Sequence, residues 1–244
     1  EMCIRDRDLA IIGMGKCGAR ELNYISDVDV VYVVAPVEPA AAGAAPHAGA
    51  EGESAPLKLT ENECSTIGTE LVHALTRAIM GPAPEPALWE VDANLRPEGK
   101  DGPLVRTVES YVQYYKRWAE NWEFQALLKA RPIAGSAQLG ARYARAIDPF
   151  VWESAGRESF VESVQAMRAR VTDNIPSHQV DRQIKLGPGG LRDIEFTVQL
   201  LQLVHGRTDP AVRTKSTVDS LAALTAVSYI SLSLIHISEP TRPY

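Results

Sequence analysis

A chain of 244 residues, 45% hydrophobic and 23% charged, carries enough apolar material for one large domain or two smaller ones. Its net charge of −6 argues against a general nucleic-acid binder, which needs a basic face, but leaves room for a phosphorylated small molecule held by a few local cations. No apolar run approaches the ~20 residues that span a bilayer, and no apolar signal-peptide core opens the chain. The cysteines Cys3, Cys17 and Cys64 form no CxxC or metal pattern, as expected of reduced thiols in the cytoplasm.

Residues 1–7 have no apolar period. Residues 9–12 read as a buried strand. A glycine-rich turn follows, Gly13-Met14-Gly15-Lys16-Cys17-Gly18, then a short helix over 19–24 and a longer β-branched strand over 28–34. The stretch 36–56 is built from Ala, Pro, Gly and Glu and has too little apolar surface to offset its ordering entropy. It reads as a flexible insertion within the domain, with His47 solvated inside it. In 59–80, Ile67, Leu71, Val72, Leu75 and Ile79 recur at helical spacing, Thr60 and Glu63 make a capping box, and Gly81-Pro82 ends the helix. Residues 88–95 alternate as a strand, Arg96-Pro97-Glu98-Gly99 turns, and 103–105 begins a return strand.

From 108 onward the pattern is helical. A long helix is expected over 109–130, its stripe of Tyr111, Tyr114, Tyr115, Trp118, Trp122 and Phe124 read as core packing and its end set by Arg131-Pro132. Further helices are expected at 137–147, 158–174, 191–205 and 217–226. The chain thereby divides into an α/β part, 8–107, and an all-helical part, 108–227.

The chemistry concentrates at Asp27 and Asp29. Residues i and i+2 of a strand share a face, so both carboxylates project beside the glycine turn and its free backbone N–H groups. Carboxylate oxygens for Mg²⁺ and N–H donors for phosphate suit a metal–phosphate complex. Asp92, on a strand that can lie beside 28–34, would complete a three-carboxylate cluster holding one or two ions. Spacing alone leaves a second reading open, in which Asp27 caps the strand entry and Asp92 is solvated. The turn also fits G-x-G-x-x-G, but only eight residues separate Gly18 from Asp27, too few for the crossover helix of a dinucleotide fold, whose connection takes about a dozen or more.

G-x-G-K-x-G-x-R-E-L-N-Y-x-S-D-x-D, followed by V-D-x-x-L-R-P-E-G, resembles the nucleotidyltransferase domains of the glutamine synthetase adenylyltransferase/adenylyl-removing enzyme family, within the DNA polymerase β-like superfamily. The resemblance continues through YYKRWAENWEFQALLKARPIAG and IKLGPGGLRDIEFTVQLLQLVHGR and covers about residues 8–227. It implies an α+β fold: a mixed sheet with helices over 8–107, followed by an all-helical bundle. LRPEGKDGPLVRT and KLGPGGLRDIEF look like the adenylyl-removing half of actinobacterial members.

That half would remove AMP from a tyrosine of glutamine synthetase by phosphorolysis, consuming phosphate and releasing ADP. The alternatives are adenylyl transfer from ATP and a non-catalytic docking fragment of a longer enzyme that also answers to the PII signal protein. By resemblance Asp27, Asp29 and Asp92 are the Mg²⁺ ligands, and Gly13 and Gly15 let backbone approach phosphate. Lys16, Arg20 and Arg96 are basic residues of the matching motifs, and Ser26 either donates to phosphate or caps the strand entry.

Gly187-Pro188-Gly189-Gly190 opens a helix whose N-terminus suits an anion, with Arg192 in its first turn closing over the nucleotide; a capped helix packed on the catalytic domain is the competing reading. The ends depart from the family. MCIRDR and SLIHISEPTRPY resemble translated sequencing-adapter read-through, so 1–7 and 228–244 read as non-native tails.

Overall fold

A computed structural model describes residues 7–24, 26–36, 60–85, 87 and 89–231. Strand β1 (Arg7–Gly13) runs antiparallel to β2 (Val28–Pro36), in register from Arg7 opposite Pro36 to Gly13 opposite Val30. An antiparallel pair needs only a short connection, which is why so few residues suffice between them. Two short strands, β3 (Val91–Asp92) and β4 (Val105–Arg106), each join β2 in parallel, and β5 (Arg131–Gly135) pairs antiparallel with the other edge of β1. The result is the expected α+β architecture, a mixed five-stranded sheet in the order β3-β2-β1-β5 with β4 also on β2.

Alternation along β2 divides the core. Val30, Tyr32 and Val34 face helix α2 (Glu61–Met80) and pack with Cys64, Val72 and Val105. Thr60 and Glu63 form the expected capping box at the start of that helix. Val31, Val33 and Ala35 point the other way, into a larger cluster with Ala10, Ile12, Tyr111, Tyr143 and Leu203. There the Tyr111 hydroxyl donates to the Tyr32 carbonyl at 3.0 Å. This cluster runs across residues 107 and 108, and β5 carries the sheet itself into the second half. The boundary expected there from the change of pattern is therefore not a gap in packing.

Several elements differ from expectation. The helix expected over 19–24 lies earlier, as α1 (Gly15–Ala19), because Arg20 turns left-handed (φ 63°) and ends it. Among the described residues, only Val91–Asp92 of the 88–95 strand pairs. The chain then turns, with the Asp92 carboxylate accepting the Asn94 N–H at 2.6 Å. The return strand, β4, is parallel to β2.

The long helix is two, α3 (Val108–Arg117) and α4 (Asn121–Leu127). The break falls where Glu120 and Glu123 make a second capping box. It also splits the aromatic stripe. Tyr111, Tyr115 and Phe124 enter the core, whereas Trp118 is 73% exposed and Trp122 37%. Arg131 and Pro132, expected only to stop a helix, begin β5. Helices α5 (Ala137–Glu153), α6 (Phe160–Asp173), α7 (Leu191–Gly206) and α8 (Thr217–Ala226) follow.

Of the insertion expected at 36–56, all but Pro36 lies outside the described residues, as do 1–6 and 232–244 of the expected tails. Arg7 belongs to β1, and the Tyr229 ring stacks on His205 with centroids 3.8 Å apart.

A polar clasp ties the last helix to the loop after α1. The Glu21 carboxylate accepts the Thr217 N–H at 2.5 Å and the Lys129 ammonium at 3.0 Å, and Lys129 also donates to the Thr217 hydroxyl at 3.1 Å. Burial alone would raise the proton affinity of Glu21. The hydrogen bond and charge of Lys129, with the Thr217 donors, outweigh it and leave the pKa below the usual carboxylate range. A depressed carboxylate stabilises the fold above its unfolded pKa, and that contribution is lost as pH falls through the folded value.

Two outcomes follow from this packing. In thermal unfolding, Glu21→Gln should be less stable than the parent near pH 7, and the gap should close as pH falls below about 4. A gap that widens on acidification would contradict the clasp. At Gly18 an added Cβ would sit 1.9 Å from the Lys129 carbonyl oxygen. Gly18→Ala should therefore cost about 3 kcal/mol of stability in denaturant unfolding.

Candidate active site

The ends of β1, β2 and β3 meet where the glycine turn folds back on Asp29. The Met14 N–H donates to the Asp29 carbonyl at 2.8 Å, extending the β1–β2 ladder one step beyond Gly13. Gly15 follows with φ +47°, a conformation that favours glycine, and a Cβ there would lie 2.6 Å from Asp29 Oδ2. The Asp29 carboxylate thus rests against bare backbone. On the other side, the Val28 N–H donates to the Glu90 carbonyl at 2.7 Å, and the parallel register sets Asp29 opposite Asp92. Residues in register share a face, so the carboxylates of Asp29 and Asp92 are neighbours brought together from 63 positions apart in sequence.

Burial raises the proton affinity of Asp29, and the charges of Asp92 and then Asp27 raise it further; Arg192 and Lys185 pull in the opposite direction. These five side chains therefore share one electrostatic environment. Asp27, Asp29, Lys185 and Arg192 border a cavity of about 400 Å³, whereas Asp92 stands beside Asp29 in the neighbouring strand and is not part of the cavity lining. Gly15, Lys16, Ser26, Asp27 and Asp29 line its sheet end.

Its helical walls follow from periodicity. Helix α4 presents Trp122, Gln125 and Ala126, α6 presents Met167 and Val171, and α7 presents Arg192, Glu195, Phe196 and Gln199. Each set is spaced by three or four residues and so lies on one helical face. Leu95, Lys129 and Lys185 complete the lining.

Of the residues expected at a phosphate or nucleotide site, Gly15, Lys16, Ser26 and Arg192 border the cavity together with Asp27 and Asp29. Arg192 approaches Glu195 at 3.8 Å and lies over the Phe196 ring at 5.9 Å, and its buried Nε donor has no hydrogen-bond partner. A buried unpaired guanidinium nitrogen beside a cavity suits an anionic ligand.

Gly13, Arg96 and Asp193 are placed differently. Gly13 is not on the cavity wall. It sits within β1, where a Cβ would meet Ile133 at 2.9 Å, so it serves close strand packing. Arg96 is turned into its own loop, where its guanidinium donates to the carbonyls of Ala93, Lys100 and Gly102 at 2.9–3.2 Å. Those bonds use three of its five donors to hold the turn, and Arg96 is not part of the cavity lining. Asp193 is a helix-start cap, accepting the Gly189 N–H at 2.6 Å and pairing with Arg168.

The sequence reading missed Lys129, Lys185, Gln125 and Gln199. Gln125 and Gln199 are polar positions on otherwise apolar helical faces, and Lys129 and Lys185 lie in the turns beside those helices, so none is informative until the helices converge.

Asp27, Asp29 and Asp92 offer hard oxygen donors, the type Mg²⁺ takes. Among the described residues no three acidic, histidine or cysteine side chains already form a metal cage. Magnesium commonly uses one or two carboxylates, with substrate phosphates and water completing the shell, so the donor set fits. The raised proton affinity of Asp29 marks a concentration of negative charge that a cation would relieve.

The profile of the glutamate-ammonia ligase adenylyltransferase family matches residues 4–146, and that of GlnD PII-uridylyltransferase matches residues 165–235. Relatives named bifunctional glutamine synthetase adenylyltransferase/adenylyl-removing enzyme include one from Leifsonia xyli subsp. xyli, 58% identical over 93% of this chain and 21% of its own length. Another from Streptomyces coelicolor is 53% identical over 91% of this chain and 21% of its own length, and one from Corynebacterium diphtheriae is 50% identical over 92% and 18%. The chain spans about a fifth of the length of these curated relatives. With a family match over more than half its residues, the chain belongs to the glutamate-ammonia ligase adenylyltransferase family.

Proposed function

We propose that this chain is a nucleotidyltransferase domain that removes AMP from a tyrosine of adenylylated glutamine synthetase, with inorganic phosphate as acceptor and ADP as product. The observation that carries the reading is the seating of the Asp29 carboxylate between Gly15 and Asp92, at the mouth of a cavity that also holds Lys16, Lys185 and Arg192. Carboxylates and cations in one small space suit a phosphodiester and an attacking phosphate better than a neutral substrate. The cytoplasmic setting read from the cysteines belongs to the same proposal, as does communication with the PII protein through a longer chain.

In this reading a phosphate oxygen attacks the phosphorus of the tyrosine–AMP bond. The bond from phosphorus to the phenolic oxygen breaks, the new P–O–P link makes ADP, and the proton of hydrogen phosphate passes to the departing tyrosine oxygen. Lys16, Lys185 and Arg192 hold the two phosphoryl groups together against their mutual repulsion and orient them. The Gly15 backbone lets the phosphate approach closely, and the apolar helical wall limits water, which would compete as acceptor. Mg²⁺, held by Asp27, Asp29 and Asp92, would supply charge stabilisation at the phosphate oxygens.

Incubation with adenylylated glutamine synthetase, Mg²⁺ and phosphate should release ADP. A folded chain that yields none would sink the proposal, while label carried from ATP to glutamine synthetase would reverse the direction of transfer. Asp29→Asn should lower the rate by at least about 10³-fold with an unchanged thermal midpoint, because it removes a charged oxygen donor from the set that would hold Mg²⁺. Gly15→Ala should lower the rate too, since its methyl would displace the Asp29 carboxylate; wild-type turnover in that variant would contradict the proposed seat.

A further inference from the structure

We infer that the helical end of the cavity is a nucleobase seat and that the Gln125–Gln199 pair reads the hydrogen-bonding edge of adenine. This rests on the proposed function above and adds the part of the substrate that sits away from the phosphates.

The sheet end of the cavity carries most of its charge, joined by Arg192 and Glu195 near the start of α7, and the rest of the helical wall is mostly apolar. Between α4, α6 and α7 the wall is formed by Trp122, Ala126, Met167, Val171 and Phe196. Trp122 is left 37% exposed beside this concave surface, although other aromatic residues of the same stretch are in the core. An aromatic side chain left partly open in an apolar slot is suited to stacking on a planar base. The volume of about 400 Å³ falls within the range of roughly 300–1,000 Å³ in which proteins enclose small organic ligands.

Into this slot project two amides. Gln125 is only 3% exposed, and its Nε2 donates to Gln199 Oε1 at 2.8 Å. Each side chain spends one polar atom on this bond. What remains is one acceptor, Gln125 Oε1, and one donor, Gln199 Nε2. Adenine offers the complement on adjacent atoms: its N6 amino group donates and its N1 accepts. Guanine offers the reverse, with O6 accepting and N1–H donating. In this orientation of the two amides the pair favours adenine, because the wrong base leaves buried polar atoms opposed; turning both amides over would keep their mutual bond and favour guanine, so a preference for GDP would overturn the assignment. The link between α4 and α7 made by this bond also sets the width of the slot, so the pair serves recognition and spacing together.

The test uses equilibrium binding to the full chain, in Mg²⁺, of three probes: ADP, GDP and inorganic pyrophosphate. ADP should bind at least about tenfold more tightly than GDP. Gln199→Leu should bring the two within about twofold, and Gln199→Glu, which keeps the size of the side chain, should also erase the preference. Both should leave pyrophosphate affinity unchanged. Trp122→Ala should weaken ADP and GDP alike by about tenfold and spare pyrophosphate.

Equal binding of ADP and GDP by the parent chain, or a preference that survives both Gln199 variants, would overturn the base-reading pair while leaving the phosphate site intact. ADP no tighter than pyrophosphate would overturn the base seat. Failure of all three probes to bind a folded chain would overturn the proposed function as well.

Discussion

Two parallel-paired residues, Asp29 and Asp92, hold the site together. Their register on β2 and β3 places two carboxylates side by side, and the hydrogen bond from Met14 N–H to the Asp29 carbonyl brings the glycine turn against them. Like charges at this distance repel, and burial of Asp29 makes the repulsion worse. The surrounding scaffold opposes that cost through a β2 buried on both faces and anchored by the Tyr111 hydroxyl to its own backbone. A strained concentration of negative charge in a stiff frame is what a site built around a cation and phosphates requires.

The helices do more than cover the sheet. Helices α4, α6 and α7 each turn one face toward the carboxylates, which makes the cavity a joint product of both halves of the chain. Lys129 shows how close the coupling is. It borders the cavity, and its ammonium bonds Glu21 in the loop after α1 and Thr217 at the start of α8. A shift of α8 would therefore be felt at the glycine turn through a single charged clasp. Arg131 adds a second tie, donating to the carbonyls of Cys17 and Gly18 from β5. The glycine turn is thus held from the sheet and from the last helix together.

Several features were legible in the residues because they depend on short-range rules. The capping box at Thr60, helix α8, the paired aspartates and the insufficiency of eight residues for a parallel crossover all follow from local spacing. The errors fell where local rules compete. The aromatic stripe of 109–130 suggested one continuous buried helix, but the Glu120–Glu123 capping box starts a new one and redirects Trp122 to the cavity. Arg96 matched a motif, yet its turn offers three carbonyls at hydrogen-bonding distance, and it is those carbonyls that its guanidinium bonds.

The residues by themselves determined the family and the α+β class and pointed to three carboxylates, because motif spacing and strand periodicity are written locally. Only the tertiary structure decided which basic residues face those carboxylates. Lys185 precedes the turn that opens α7, Arg192 follows it, and Lys129 lies just past the end of α4. Nothing in their spacing distinguishes them from surface cations. Convergence of distant elements distinguishes them, and it is set by how the sheet and helices pack rather than by any neighbour in sequence.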